Sequence, residues 1–443
     1  MPLPPVIEKY LRQRGISGPW RLTGESRRSF SGAVIVPAFA EEETLFATLA
    51  DLATQPAEIR HRYLVVVVVN HPAGAAVEAQ KENLRTLDRL AGETTFDLPL
   101  AWVDAVAPGQ ELPQGEGVGL ARKIGFDLVL ERLDWESGPP LLISLDADTR
   151  VRPDYYSAIE AHFRQAWAGA AVLPFCHARA ASAEQERAIT LYELYLRSYA
   201  LGLAQAGSPY GFHTIGSAFA CRAEAYVRAG GMNRRSAGED FYFLQQMVKT
   251  AGVSPLAGTV VFPSPRLSQR TPFGTGRSIA SLLAGEGVST LFHRVDCYRL
   301  LNAWLGLAIA AWREPARQVL LAAGEIHPAL ADYLLAAGFP AIWPRLQRQN
   351  RTGSAFATAF HCWFDGLKTR KFIHLLSSGS LPYQSAAEAL PSLLSWAGLP
   401  ETPDPAAQLA LLRGCPAGGR PEDGEIDVCL KECNVVGFAG IRQ

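Results

Sequence analysis

Tyr63-Leu64-Val65-Val66-Val67-Val68-Val69-Asn70 decides the fold class. The five valines are β-branched and stiff at χ1, which suits an extended strand. Nothing in 63–69 alternates toward polar character, so the strand is expected to be covered on both faces. Strands of that kind belong to parallel sheets packed between helices. Ala33-Val34-Ile35-Val36-Pro37 upstream and Leu141-Leu142-Ile143-Ser144-Leu145 downstream read the same way, and 99–103 is a shorter strand. Helical stretches separate them. Residues 41–55 carry Leu45, Leu49 and Leu52 at helical spacing, with acidic residues in the first turn where the helix dipole favours them. Residues 77–90 and 119–133 are the next two. This alternation predicts an α/β fold with right-handed crossovers.

Beyond Asp148 the rhythm loosens. Helices are expected over 153–167, 183–206 and 239–250, and strands over 170–175, 215–221 and 259–262. Residues 264–277 are rich in Pro, Gly, Ser and Arg and read as a loop. From about 278 the pattern is mainly helical, over 279–283, 300–312, 318–323, 329–337 and 386–396. The sequence thus divides into an N-terminal arm (1–30), an α/β domain (31–276) and a helical C-terminal region (277–443).

The chain has 443 residues, 48% hydrophobic and 19% charged, with a formal net charge of −1. That balance excludes a binder driven mainly by charge toward nucleic acid or anionic lipid. Seven cysteines scattered over this length do not form a disulfide framework. Cys415, Cys429 and Cys433 lack a clear fourth zinc ligand. Reduced thiols, and a cytoplasmic location, are expected. No apolar run of about 18 residues occurs. An amphipathic helix resting on a membrane surface stays compatible with the sequence.

Ligands of open α/β sheets bind beyond the carboxyl ends of the strands, so the residues that follow each strand are the candidates. Asp146-Ala147-Asp148 places two carboxylates one residue apart at the exit of a buried strand. Oxygen donors in that arrangement suit Mg²⁺ or Mn²⁺, with water and phosphate oxygens completing the shell. Capping of the next helix is the structural alternative. Gly238-Glu239-Asp240 opens a helix whose dipole should keep Asp240 ionised and able to take a proton from a hydroxyl. Here too, capping is the alternative. Gly115, Gly117 and Gly119 precede Arg122 and Lys123. Glycines at a helix start permit close approach to phosphate, and the basic pair would offset its charge. There is no Gly-Lys-Ser/Thr, so this is not a P-loop. Arg266, Arg270 and Arg277 in the 264–277 loop could close over a diphosphate. His213 is a candidate third metal ligand. Tyr192, Tyr195 and Tyr199 sit at helical spacing and read as a buried stripe rather than a sugar platform.

The ordered set resembles the family 2 glycosyltransferases of the GT-A fold over about 31–275. The matching pieces are Val34-Ile35-Val36-Pro37-Ala38-Phe39 with Glu41-Glu42, the valine strand ending at Asn70, and Gly119-Leu120-Ala121-Arg122-Lys123-Ile124-Gly125. Asp146-Ala147-Asp148, Gly216-Ser217-Ala218-Phe219 and Gly238-Glu239-Asp240 complete it. The resemblance implies a mostly parallel sheet flanked by helices and an inverting, metal-dependent transfer of sugar from a nucleotide diphosphate to a hydroxyl. By it, Pro37, Phe39, Glu41, Asn70 and Asp146 would face the donor, joined there by Arg122, Lys123 and Arg270 from the basic pair and loop read above. Gly216 and Ser217 would face the acceptor. Asp148 would be the main metal ligand, with Asp146 reaching toward ribose or metal, and Asp240, beside Glu239, would be the base; His213 stays a candidate from the residues alone. The acceptor would be a lipid carrier, a glycan or a small metabolite. Two positions depart from the family habit: Ala40, where Asn is common, and Asn70, where Asp is common. A nucleotidyltransferase releasing pyrophosphate, or a non-catalytic nucleotide-sugar binder, are the rival readings. The oligomeric state is not legible.

Overall fold

The computed structural model describes residues 3–92, 96–266, 275–283 and 292–414. It forms two compact units, Met1–Ala183 with Thr214–Ala280, and Glu184–His213 with Ser281–Gln443. The segment Glu184–His213 lies between strands of the first unit in sequence but belongs to the second.

The first unit is built on a sheet of β1 (Thr23–Gly24), β2 (Gly32–Ala38), β3 (Tyr63–Asn70), β4 (Leu100–Ala105), β5 (Leu141–Ser144), β7 (Ala170–Val172), β8 (Phe219–Arg222) and β9 (Val253–Pro255). A separate pair joins β6 (Thr149–Val151) to β10 (Val261–Pro263). The sheet order is β1-β4-β3-β2-β5-β8-β7-β9. Four of its seven pairings are parallel: β2 with β3, β3 with β4, β2 with β5, and β7 with β9. The α/β class and the layering of helices on the sheet are therefore as expected from the sequence.

All eight residues of β3 are buried, as the unbroken valine run requires. Helix Val118–Val129 packs on β2 and β3 through Gly125, where an added Cβ would stand 2.3 Å from Ile35 Cγ2. From β2 the chain builds outward to β3 and β4 on one side, then returns to place β5 on the other. That reversal opens a crevice beyond the carboxyl ends of β2 and β5, the place where open sheets bind ligands. Pairing of β5 with β2 stops at Ile35↔Ser144. Pro37, which has no N–H to give, sits just past that point.

The second unit is helical. Its helices are Ala183–Gln205, Val295–Ala310, Ala316–Ile326, Pro328–Ala336, Phe339–Gln349, Gly353–Trp363, Gly366–Ser377, Ala386–Trp396 and Pro405–Arg413. Trp304, Phe339, Trp343, Phe356, Phe360, Phe364 and Phe372 fill its core. Tyr195 meets Phe292 edge to ring and Tyr199 packs on Tyr298, so these two members of the tyrosine stripe serve packing. Among the described residues no helix is long and apolar enough to cross a membrane.

Candidate active site

Two arginines organise the acidic residues at the crevice. Arg122 projects from helix Val118–Val129 and is buried. Its Nε donates to Ser144 Oγ at 2.8 Å. One terminal nitrogen donates to Asp146 and the other to Glu239. Burial opposes the charge on Arg122, but Asp146 and Glu239 outweigh it and hold the guanidinium protonated. A single side chain therefore ties the exit of β5 to the start of helix Glu239–Thr250. Gly216 makes room for it, since a Cβ there would lie 2.4 Å from the Arg122 guanidinium.

The second arginine is Arg266, three residues beyond β10. Its guanidinium pairs with Glu41, which follows β2, and its Nε lies 2.9 Å from Asp148 Oδ2. Antiparallel pairing of β10 with β6, with Pro263 opposite Thr149, delivers residue 266 to the side of Asp148.

Asp240 follows Glu239 in the first turn of its helix and is half-buried. Its pKa is pushed up to about 8, by burial first and then by the charge of Glu239, with Asp146 adding to both. Arg122 and a hydrogen bond from the Phe241 N–H pull the other way and are outweighed. The expectation of an ionised Asp240 is thus corrected: a helix dipole offers less than desolvation beside two carboxylates takes away. Glu239 is also raised, through burial, with Arg122 opposing.

At the end of β3, Asn70 is buried and its amide donates to Val68 O at 2.9 Å and Ala38 O at 3.2 Å. Those bonds turn Oδ1 away from the strand backbone as the acceptor, on the amide orientation assigned by its hydrogen bonds. Asn83, which the sequence reading did not single out, ties this corner together. It donates to Asn70 O at 3.1 Å and accepts from the Ala40 N–H at 2.9 Å. Phe39 and Glu41 stand at the β2 exit, half-buried.

Several candidates fall elsewhere. Lys123 is buried against Asp127 at 2.7 Å and Tyr10 at 2.9 Å, because adjacent helical residues point about 100° apart and only Arg122 faces the crevice. Pro37 is buried inside β2 opposite Val68 and presents no surface. Gly119 faces backbone rather than phosphate: its Cβ position is 2.5 Å from Arg235 O. Ser217 is buried, and Gly216 is half-buried with the Arg122 guanidinium against it. His213 belongs to the second unit, where burial, with Arg197 nearby, pushes its pKa down to about 3. Arg270 and Cys415, Cys429 and Cys433 lie outside the described residues, as does the side chain of Arg277.

Among the described residues no group of three or more His, Cys, Asp or Glu forms a ready metal cage. Asp146 and Asp148 nonetheless fit a hard divalent ion that keeps one or two protein carboxylates. The guanidinium on Asp148 and Glu41 is a stand-in that shows a positive charge is accepted there.

No family model and no curated protein matches the chain. Solved structures align with it loosely. S. aureus TarS 1-349 in complex with UDP-GlcNAc is 12% identical, with 81% of this chain and 99% of that one covered and a TM-score of 0.37. The mannosyltransferase PcManGT from Pyrobaculum calidifontis, in complex with GDP-Man and Mn²⁺, is 15% identical over 81% and 93%, with a TM-score of 0.34. M. tuberculosis glucosyl-3-phosphoglycerate synthase is 12% identical over 66% and 90%, with a TM-score of 0.32. At these values the functional reading rests on the residues of this chain.

Proposed function

We propose that this protein is an inverting glycosyltransferase of the GT-A kind. It moves a sugar from a nucleotide-diphosphate donor to a hydroxyl acceptor, with Mg²⁺ or Mn²⁺ at Asp146 and Asp148. The observation that carries the reading is the Arg122 guanidinium. It joins Asp146 to Glu239 and so gathers two acidic pairs, far apart in sequence, at the reversal point of the sheet.

Asn70 Oδ1, Phe39 and Glu41 form the donor side, beyond β3 and β2. A divalent ion at Asp146 and Asp148 would offset the charge that gathers on the diphosphate as its bond to the sugar breaks. Asp240 takes the proton of the acceptor hydroxyl while that oxygen bonds to the anomeric carbon and the nucleotide oxygen leaves from the opposite face. Inversion follows from a single displacement. Glu239 takes no part in the chemistry; it fixes Arg122. The acceptor is a lipid carrier, a glycan or a small metabolite.

The test is product analysis with a panel of nucleotide sugars and Mn²⁺. Release of a nucleoside diphosphate supports sugar transfer, whereas release of pyrophosphate supports nucleotidyl transfer. Asp148→Ala should abolish Mn²⁺-dependent nucleotide binding; a variant that binds as the wild type does removes Asp148 from the site.

A further inference from the structure

We propose that Arg266 is a donor-binding residue that occupies the cation position in the ligand-free protein. The divalent ion exchanges it off Asp148, and its guanidinium then turns to the donor diphosphate. The inference rests on the sugar-transfer reading of the site.

The placement of Arg266 is determined by the fold. The β6–β10 register brings 266 beside 148, and the side chain bridges the exits of β2 and β5 through Glu41 and Asp148. A divalent ion seated on Asp148 would stand within a few ångströms of that guanidinium, in direct competition for the same carboxylate. Two like charges so close repel, and the guanidinium held by fewer buried contacts is the one that gives way.

Comparison of the two arginines decides which side chain moves. Arg122 is 2% exposed, is held by Ser144, Asp146 and Glu239 together, and lies in a space that Gly216 keeps open. Freeing it would strand two carboxylates beside it, which is costly. Arg266 is 30% exposed and lies at the end of a short strand. With Asp148 at 20% and Glu41 at 11%, this pair is more accessible than the one Arg122 makes with Glu239 and is the less costly of the two to open. A released guanidinium then offers its planar set of N–H donors to diphosphate oxygens, for which it is better shaped than for a lone carboxylate.

Calorimetric titration of the full chain provides the test, with MnCl₂ alone and with UDP or GDP at saturating Mn²⁺. Arg266→Ala should bind Mn²⁺ alone about two- to fivefold more tightly, since its competitor is gone. The same variant should bind the nucleoside diphosphate roughly tenfold more weakly. Arg266→Lys keeps the charge but not the fork; it should bind Mn²⁺ as the wild type does and still lose nucleotide affinity. It also serves if the alanine variant fails to fold. Opposite signs for metal and nucleotide support the exchange, because a merely structural role would weaken both. Affinities that fall together, or Mn²⁺ binding unchanged in Arg266→Ala, overturn it while leaving the sugar-transfer reading intact. Absence of Mn²⁺ binding in wild type and variants alike overturns the exchange and the metal part of that reading together.

Discussion

Ala40 has a φ of 53°, a left-handed conformation that costs an L-residue about 1–2 kcal/mol. The hydrogen bond from its N–H to Asn83 holds it there. The sequence marked this position only as a departure from a family habit of Asn, a residue that tolerates such a φ better than alanine does. Ala40→Gly should stabilise the protein by roughly 0.5–1 kcal/mol, read as a rise in thermal midpoint; a fall would mean the Ala40 methyl packs better than its backbone is strained. Asp240 makes a second residue-scale prediction. Its folded pKa is raised to about 8, so near neutral pH it is mostly protonated and the base form grows as pH rises. The sign for catalysis is therefore positive: kcat/KM should climb from pH 6 and level off above about 8. For stability the sign is opposite. The folded protein holds this proton more tightly than the unfolded chain, so stability is lost as pH rises from the ordinary carboxylate range toward 8. Asp240→Asn should flatten that decline, bind donor as before and lower turnover by at least ~10²-fold. Wild-type turnover in the variant would remove Asp240 from the chemistry. Asp240 was legible as an acid at a helix start, but its protonation was not. That depends on burial first, and then on Glu239 and Asp146 being brought near, all consequences of tertiary packing.

Among the elements, the strands were the most readable, because β2, β3 and β5 are buried on both faces and their composition shows it. The helices of the second unit were less so. Residues 339–377 hold three helices that the sequence reading left out, Phe339–Gln349, Gly353–Trp363 and Gly366–Ser377. Pro340 and Pro344 fall in the first of them; Pro340 occupies the first turn, where its missing N–H is harmless. Pro344 is truly interior. Aromatic burial overrides it, since Phe339 and Trp343, both ahead of it in the helix, are fully buried. Pro344→Ala would restore the N–H to the Pro340 carbonyl and remove the ring clash, so it should stabilise the helical unit by ~1–3 kcal/mol. Denaturant unfolding with a helical signal checks this; no gain would show that the helix is bent to suit the ring. The long-range pairs of the site left no such local trace. Arg122 meets Glu239 across 117 residues and Arg266 meets Glu41 across 225, separations that no periodicity encodes. Glycine spacing is silent for the same reason: what Gly119 and Gly216 make room for, the backbone at Arg235 and the Arg122 guanidinium, comes from distant parts of the chain.

For the whole molecule, the division into units sets what a ligand can stabilise. Every residue assigned here to donor, metal or base lies in Met1–Ala183 or Thr214–Ala280, so the binding free energy enters through the sheet unit. A nucleotide sugar at one hundred times its dissociation constant should add about 2.7 kcal/mol to that unit. With Mn²⁺ present, hydrogen exchange should slow at 38–41 and 145–149, the exits of β2 and β5. Core amides of the helical unit should keep their rates, because burial there comes from Trp304, Trp343 and the phenylalanines around them, none of which is in the sheet unit. The same ligand should leave the exchange of Asp148→Ala unaltered at both exits. Protection that spares both 38–41 and 145–149 would end the case for Asp146, Asp148 and Asp240 as one site.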